Sequence, residues 1–553
     1  MQRLAAVRDV FALTVFLASL AAFMTVVPFG DFDTIIGDNI AQVGYWRILV
    51  NHAFVGGLGA SSMKPGLIVL LGATHDLSLA LFGSTVLIKV VFALAGAGLA
   101  TIVACIARQG AGTVAGVGAV IYLMTRTPVP AMFVDGTSML VFLPLLLWGV
   151  WLFSVGSERA GAIVLCLAAL IRIEAFAVLL WLALAEQLFK RRWRAFSFST
   201  VVVTITVLIT GFTYYRLQGS VARFNAGGPG AGYVFSHEPS AWIRTLGALR
   251  YPFSAAAAMA FEQCRAPYLG VPALLGCALS PGRRSYLALL GIPLFLMVYV
   301  STGQGYGEVR YFQFLAPVVA ALGAAGLVHA FRMGGHARAP ARTWPLLLAA
   351  LAGLSCLVFA ESKPVGSLSL IFIAAGLGAL LHKLSIAPAS RLLRTSGALL
   401  SWVVLLRTIG NSDWGSVISR LAYTVDAQNL LKHSPVPKGQ RVLTEDDLIY
   451  GVLINDMTLF RAVAALQYFN VQSDARRAEM LGATDYIIAS KHNYGTYYLK
   501  YDPLGRGTSD PFRAAVVGAR KGKPTSLYGY RLVPIETSRD WTVIKVESEQ
   551  GSG

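Results

Sequence analysis

The feature that most limits what this chain can fold into is a succession of apolar stretches, each about as long as a bilayer is thick. A membrane-crossing helix needs about 20 predominantly apolar residues. Segments approaching that description fall at 10–28, 86–107, 112–125, 138–153, 160–171, 174–189, 196–214, 266–280, 285–301, 311–330, 345–360, 366–381 and 396–408. That makes thirteen expected spans. A fourteenth apolar stretch, 64–82, opens on Lys64-Pro65 and is interrupted by His75-Asp76, so it is expected to lie along the bilayer surface as a juxtamembrane helix. Composition agrees: charged residues are 13% of the 553 and hydrophobic ones 56%, whereas a soluble surface needs roughly 25% charged.

Basic residues orient the spans. Arg108, Lys190 to Arg194, Arg283-Arg284, Arg332 to Arg342 and Lys383 to Arg394 all fall on the side of the N-terminus. By the positive-inside rule that side is cytoplasmic, and the net charge of +18 belongs to membrane orientation rather than to nucleic acid. The other face then receives 29–85, 126–137, 215–265, 302–310 and everything after 408. The expected location is the inner (plasma) membrane, multi-pass, with the N-terminus cytoplasmic and the C-terminus periplasmic or otherwise extracytoplasmic. The segment after Arg3 and Arg8 lacks a small-residue cleavage site and reads as a retained first helix. Five cysteines, most of them within apolar stretches, show neither disulfide nor metal spacing.

From about residue 409 the composition becomes that of a soluble domain. Arg441-Val-Leu-Thr, Tyr486-Ile-Ile-Ala, Tyr530-Arg-Leu-Val and Trp541-Thr-Val-Ile-Lys-Val read as strands, and 459–468 and 475–481 as helices. The expected organisation is a polytopic α-helical membrane domain, 1–408, followed by a small α/β extracytoplasmic domain, 409–553.

Charged groups gather in the outer segments. The first loop holds Asp31, Asp33, Asp38, Tyr45 and Lys64. Carboxylates at headgroup level suit a general base or a metal ligand, and a lysine there suits a lipid phosphate. An ordinary solvated loop is the competing reading. Asp135 opens the helix at 138, either as a dipole-favoured helix-start residue or as a second acidic group converging on the first. Arg172-Ile-Glu174 separates two short apolar segments; ionisable groups at that depth pair with each other or line a polar cavity, where Arg172 reaches a phosphate and Glu174 orients it. The glycine-dense loop 215–265, with His237-Glu238, reads either as a lid or as a linker. Arg310-Tyr311 stands at the outer mouth of a late helix, binding phosphate or snorkelling. No P-loop, nucleophile elbow or HExxH occurs, which argues against an ATP-driven pump, a common hydrolase and a zinc protease.

Taken in order, these motifs resemble the GT-C superfamily of membrane glycosyltransferases, and within it the aminoarabinose transferase and protein O-mannosyltransferase group. The resemblance covers about residues 1–330. It rests on the acidic first loop, Lys64-Pro65-Gly66-Leu67, Phe82-Gly83, Asp135, Arg172-Ile-Glu174 and Arg310-Tyr311. The departures are a first loop without Asp-Glu, glycine after Lys-Pro, and Ile173 where many members have proline. The resemblance implies inverting transfer of a sugar from a polyprenyl-phosphate-linked donor to an envelope glycan, lipid or protein acceptor. In that scheme Asp38, or else Asp33, is the base, and Asp135 is the second catalytic carboxylate. Lys64, Arg172 and Arg310 hold the departing phosphate. Asp31, Tyr45, Glu174, His237, Glu238 and Tyr311 contact substrate. No cofactor is required for certain; a divalent cation, Mg or Mn, assists some relatives and not others. The rival classes are a transporter or flippase of lipid-linked sugars and an O-antigen ligase or polymerase.

Overall fold

The computed structural model describes residues 10–26, 64–134, 136–172, 313–333, 440–444, 460–465, 474–490, 511–537 and 541–549, with isolated positions between them such as Val43, Trp46, Val50, Ala175, Val178 and Leu182. The N-terminal part is helical. It comprises α1 (Val10–Val26), α2 (Pro65–Phe82), α3 (Val86–Ala111), α4 (Thr113–Arg126), the single-turn α5 (Val129–Val134), α6 (Ser138–Ser154), α7 (Glu158–Ile171) and α8 (Leu315–Met333). Of the described helices, α2 and α3 are long and apolar enough to cross a membrane by length and composition. The expected spans at 10–28, 86–107, 112–125, 138–153, 160–171 and 311–330 all fall on helices. The stretch 174–189 is described at three positions only, and the expected spans at 196–214, 266–301 and 345–408, like the boundary at 408/409, lie essentially outside the described residues.

Local chemistry sets the helix boundaries. Pro65 sits in the first turn of α2, where its missing N–H costs nothing, and Gly83 closes the helix in the left-handed region at φ 64°. Gly112 alone, at φ 92°, turns the chain from α3 into α4. Outward-facing side chains are themselves apolar: Leu13 and Leu17 on α1, Val117 and Ile121 on α4, and Ile163 and Leu167 on α7 are each about half exposed at four-residue spacing. A helix apolar on both its packed and its open faces belongs in lipid.

Contacts at the two ends show which way each helix runs. At one end the Arg108 guanidinium lies 4.7 Å above the Phe11 ring, and His329 Nε2 is 2.9 Å from the Gly110 carbonyl oxygen. The start of α1 and the ends of α3 and α8 therefore meet there. At the opposite end the rings of Phe23 of α1 and Phe133 of α5 pack in a tilted arrangement with centroids 4.9 Å apart. Helix α3, with 26 residues, is about 39 Å long at 1.5 Å per residue, so its start lies at this second end. Helix α2 has both of its termini there: Lys64, just before it, touches the start of α6 and the end of α7, and residues 83–85 link its last turn directly to α3. Both ends of α2 thus lie at the same end of the bundle.

The C-terminal part is one mixed sheet in the order β2-β1-β3-β6-β5-β4. Its strands are β1 (Gln440–Thr444), β2 (Phe460–Ala465), β3 (Tyr486–Ser490), β4 (Thr525–Leu527), β5 (Tyr530–Thr537) and β6 (Trp541–Ser548), with helices α9 (Asp474–Gly482) and α10 (Pro511–Arg520). Alternate residues serve the two faces. Leu443, Ile487, Ala489, Leu532 and Ile544 pack against Leu481 of α9 and Phe512, Val516 and Ala519 of α10. Val442, Tyr486, Ile488, Trp541 and Val543, pointing the other way, are buried as well. The four expected strands and the helix at 475–481 are present. The helix expected at 459–468 is instead β2, paired in parallel with β1; a short apolar run suits either state, and the open edge of β1 decides it. Helix α10 and strand β4 were not foreseen.

Asp485 ties the sheet together by accepting hydrogen bonds from the Arg441 backbone N–H (2.7 Å), Nε (3.1 Å) and Nη2 (2.8 Å). These bonds raise the arginine's pKa further. Asp485→Ala removes all three acceptor contacts. Because the pair is partly exposed, with side chains 39% and 28% accessible, the expected loss is only about 1–2 kcal/mol, read as a lowered unfolding temperature of the purified full chain.

Candidate functional site

At the end of the bundle where α2 begins, two cations converge on one hydroxyl. Ser138 Oγ, on the first residue of α6, accepts from Lys64 Nζ at 3.1 Å and from Arg172 Nη1 at 3.2 Å. The two positive groups are therefore at most about 6 Å apart, and Ser138 and Arg172 are 1% and 8% exposed.

Each member is placed by local backbone chemistry. A residue before proline is pushed out of the helical region, and Lys64 is extended at φ −132°, ψ 92°, so its side chain leaves α2 at the helix mouth. Arg172 takes up an extended conformation where α7 stops, its N–H still bonded to the Ala168 carbonyl. The two helix termini touch because position 66 is glycine: a Cβ there would lie 2.7 Å from Leu170 Cβ and 3.1 Å from the Leu170 carbonyl carbon. Ser138 is set by a turn in which Gly136 adopts φ 57° and the Thr137 N–H bonds to the Met132 carbonyl at 3.0 Å.

The electrostatics favour an anion. The first N–H groups of a helix carry partial positive charge, and α6 starts at this cluster with 17 residues behind it. Thr137, its N-cap, does not use its hydroxyl to cap the helix; Thr137 Oγ1 is buried and has no hydrogen-bond partner among the described residues. The cluster thus gathers Lys64, Arg172, the start of α6 and a buried hydroxyl with no partner among the described residues, groups of the kind that bind anionic oxygens.

A second cluster ties the first outer segment to α2. Trp46 packs against Gly72, where any Cβ would overlap its side chain, and its Nε1–H donates to Asp76 Oδ2 at 2.6 Å. The other Asp76 oxygen is 3.4 Å from Nδ1 of the fully buried His75. Val43, three residues before Trp46, is fully buried.

Of the residues expected from sequence, the structure brings Lys64 and Arg172 together. Asp31, Asp33, Asp38, Tyr45, Asp135, Glu174, His237, Glu238, Arg310 and Tyr311 lie outside the described residues. In the sequence, Asp135 precedes Gly136-Thr137-Ser138, Glu174 follows Arg172 by two, and Tyr311 stands two residues before Gln313. Sequence reasoning gave no role to Ser138, Thr137, Trp46 or Asp76. A Thr-Ser pair opening an apolar helix was the one signal available for the hydroxyls. Asp76 read only as an interruption of an apolar run, and nothing local points from Trp46 to a partner 30 residues away. Among the described residues no group of three His, Cys, Asp or Glu gathers to hold a metal. The first-loop carboxylates, which suit a general base or a metal ligand, are outside that set.

No protein-family model matches the chain, and no curated protein does. Solved structures do. The chain is similar to ArnT from Cupriavidus metallidurans bound to undecaprenyl phosphate, at 14% identity, covering 96% of this chain and 97% of that one with a TM-score of 0.50. It also aligns with the apo form of that ArnT (13% identity, 98% and 99% covered, TM-score 0.44) and with the apo oligosaccharyltransferase of Archaeoglobus fulgidus (11%, 99% and 76%, 0.43). At such identities the first likeness establishes a shared fold.

Proposed function

We propose that this chain, whose fold is that of the GT-C membrane proteins, transfers a sugar from a polyprenyl-phosphate-linked donor to an envelope glycan, lipid or protein acceptor at the outer membrane boundary. The carrying observation is the convergence of Lys64 and Arg172 on Ser138 at the start of α6. A lipid phosphate reaches that depth without leaving the bilayer, and ArnT, similar in fold, has been crystallised with undecaprenyl phosphate. The proposal includes the orientation inferred from basic clusters and the division into a membrane domain, 1–408, and an extracytoplasmic domain, 409–553.

In the reaction, Asp38 (or Asp33) takes the proton of the acceptor hydroxyl. The hydroxyl oxygen attacks the anomeric carbon from the face opposite the lipid, and the bond from that carbon to the phosphate oxygen breaks with its electron pair remaining on phosphate. Lys64, Arg172 and the first N–H groups of α6 hold the charge that develops there, a role such fixed donors fill well when water is excluded. Asp135 stands close in sequence to Ser138 and assists as the second carboxylate, while Arg310 reaches the same phosphate from the segment before α8. Glu174 orients Arg172, and Asp31, Tyr45, His237, Glu238 and Tyr311 contact sugar or acceptor. A divalent cation is assigned no step.

Mass spectrometry of envelope glycans tests this. A strain lacking the gene is expected to lose one glycan substituent, to regain it with the wild-type chain, and to remain deficient with Lys64→Gln or with whichever of Asp38→Ala and Asp33→Ala removes the base. Full restoration by Lys64→Gln at normal expression overturns the phosphate assignment. Movement of labelled lipid across proteoliposomes with no new glycosidic bond would instead identify a flippase.

A further inference from the structure

A serine or threonine hydroxyl offers one proton and two lone pairs. At Ser138 both lone pairs are taken, by Lys64 Nζ at 3.1 Å and Arg172 Nη1 at 3.2 Å, since neither cation can accept. The proton of that hydroxyl is what remains, and no acceptor for it lies among the described residues. Ser138 is 1% exposed and so is closed to bulk water. Thr137 Oγ1, one residue earlier, is buried and bonded to nothing among the described residues. At an N-cap with extended backbone, φ −71° and ψ 139°, that oxygen ordinarily accepts from the second or third N–H of the helix; here it does not. We infer that the Thr137 and Ser138 hydroxyls are donors held for the phosphate, so that the site recognises its ligand through donors alone; this rests on the function proposed above.

The backbone fixes both hydroxyls before any ligand arrives. The Thr137 N–H is bonded to the Met132 carbonyl and the Thr137 carbonyl accepts from the Leu140 N–H, each at 3.0 Å, so the side chain is the part of this residue left to act. Ser138 follows as the first residue of α6. Every polar group that the described cluster turns to a ligand is then a donor: the Lys64 ammonium, the Arg172 guanidinium, two O–H groups and the first N–H groups of α6, which have no partner within their helix. Such a set fits an anion whose oxygens all accept. A fully ionised phosphate monoester is one, and it is the form in which a polyprenyl phosphate stands once its sugar has left; a phosphate that keeps a proton would turn its own O–H against donors. Two cations on one oxygen also polarise the Ser138 O–H and strengthen it as a donor. The hydroxyls keep their protons throughout: they stabilise charge on the phosphate as fixed dipoles and transfer nothing. Lys64, only partly buried, leaves the cluster open on its side.

The test uses the full chain in nanodiscs, with undecaprenyl phosphate as the binding probe and undecaprenol, which lacks the phosphate, as its control. Thr137→Val keeps the side chain's shape and removes a hydroxyl that is unpartnered among the described residues. The free protein is expected to melt no lower than wild type, because an unsatisfied buried group has gone, yet to bind undecaprenyl phosphate about tenfold more weakly, the loss of one hydrogen bond to a charged group. Undecaprenol should bind both proteins alike, and Thr137→Ser, which retains the hydroxyl, should recover the affinity. Thr137→Ala carries the same reading should the valine variant fail to fold. Wild-type affinity in Thr137→Val, a serine variant as weak as the valine one, or a weakened affinity that comes with a lower melting temperature of the free protein overturns the donor role of Thr137. Ser138→Ala is read in a Lys64→Gln/Arg172→Gln background, where neither cation remains for its oxygen to seat. A further several-fold loss of affinity is expected there, and no further loss reduces Ser138 to a spacer between the cations and overturns its donor role. Unchanged undecaprenyl phosphate affinity in Lys64→Gln and Arg172→Gln, each taken singly, overturns the underlying function instead, whatever the hydroxyl variants do.

Discussion

Arg172→Gln should lower affinity for a polyprenyl phosphate by about 10- to 150-fold, the equivalent of the 1.5–3 kcal/mol that a hydrogen bond to a charged group contributes. Transfer is expected to fall further, by roughly 100- to 1000-fold, because charge on the phosphate oxygen is greatest as the sugar departs. Two features make this the most sensitive position in the site. Arg172 is 8% exposed, so neither water nor salt substitutes for it, and its guanidinium shares Ser138 Oγ with Lys64. Arg172→Lys is expected to recover only part of the loss, since an ammonium is a point charge that cannot span two phosphate oxygens in one plane. Titration of nanodisc-embedded variants with undecaprenyl phosphate reads both effects. An Arg172→Gln protein that binds like wild type would remove phosphate from this cluster altogether.

Gly66→Val should be nearly as damaging, although residue 66 bears no functional group. Its side chain would begin 2.7 Å from Leu170 Cβ and 3.1 Å from Leu170 backbone atoms, so α2 and α7 must separate. Overpacking of this kind costs about 1–3 kcal/mol of stability. The larger effect is on geometry: moving the helix mouths apart pulls Lys64 away from Ser138 and Arg172, and phosphate affinity is expected to drop at least about tenfold, one lost charge-assisted contact. Gly98 supplies the control. Among the described residues a Cβ there would meet only Pro144 Cβ, at 3.9 Å, so Gly98→Ala should leave binding intact and raise stability by up to about 1 kcal/mol through helix propensity. Equal phosphate affinity for Gly66→Val and wild type would show that the approach of these helices does not set the site.

The comparison of sequence with structure turns on how far apart the interacting groups lie in the chain. The described helices were legible because a bilayer imposes a length and a polarity that a linear scan can read, and Lys64 and Arg172 stood out because charge beside an apolar run is costly. Strand β2 was misread because Phe460 to Ala465 is short and apolar, and only the free edge of β1 makes it extended. Ser138 looked like any helix-start residue until Lys64, 74 positions earlier, and Arg172, 34 positions later, were seen bonded to it.

What the chain determined by itself is a series of apolar helices with charged residues at their mouths: local composition, proline and glycine suffice for that, since each acts within a few residues. What tertiary structure alone decided is which mouths meet. Gly66 against Leu170, Trp46 on Gly72 and two cations on one serine are contacts between distant segments, and they depend on the fit of packed surfaces, which no local pattern encodes.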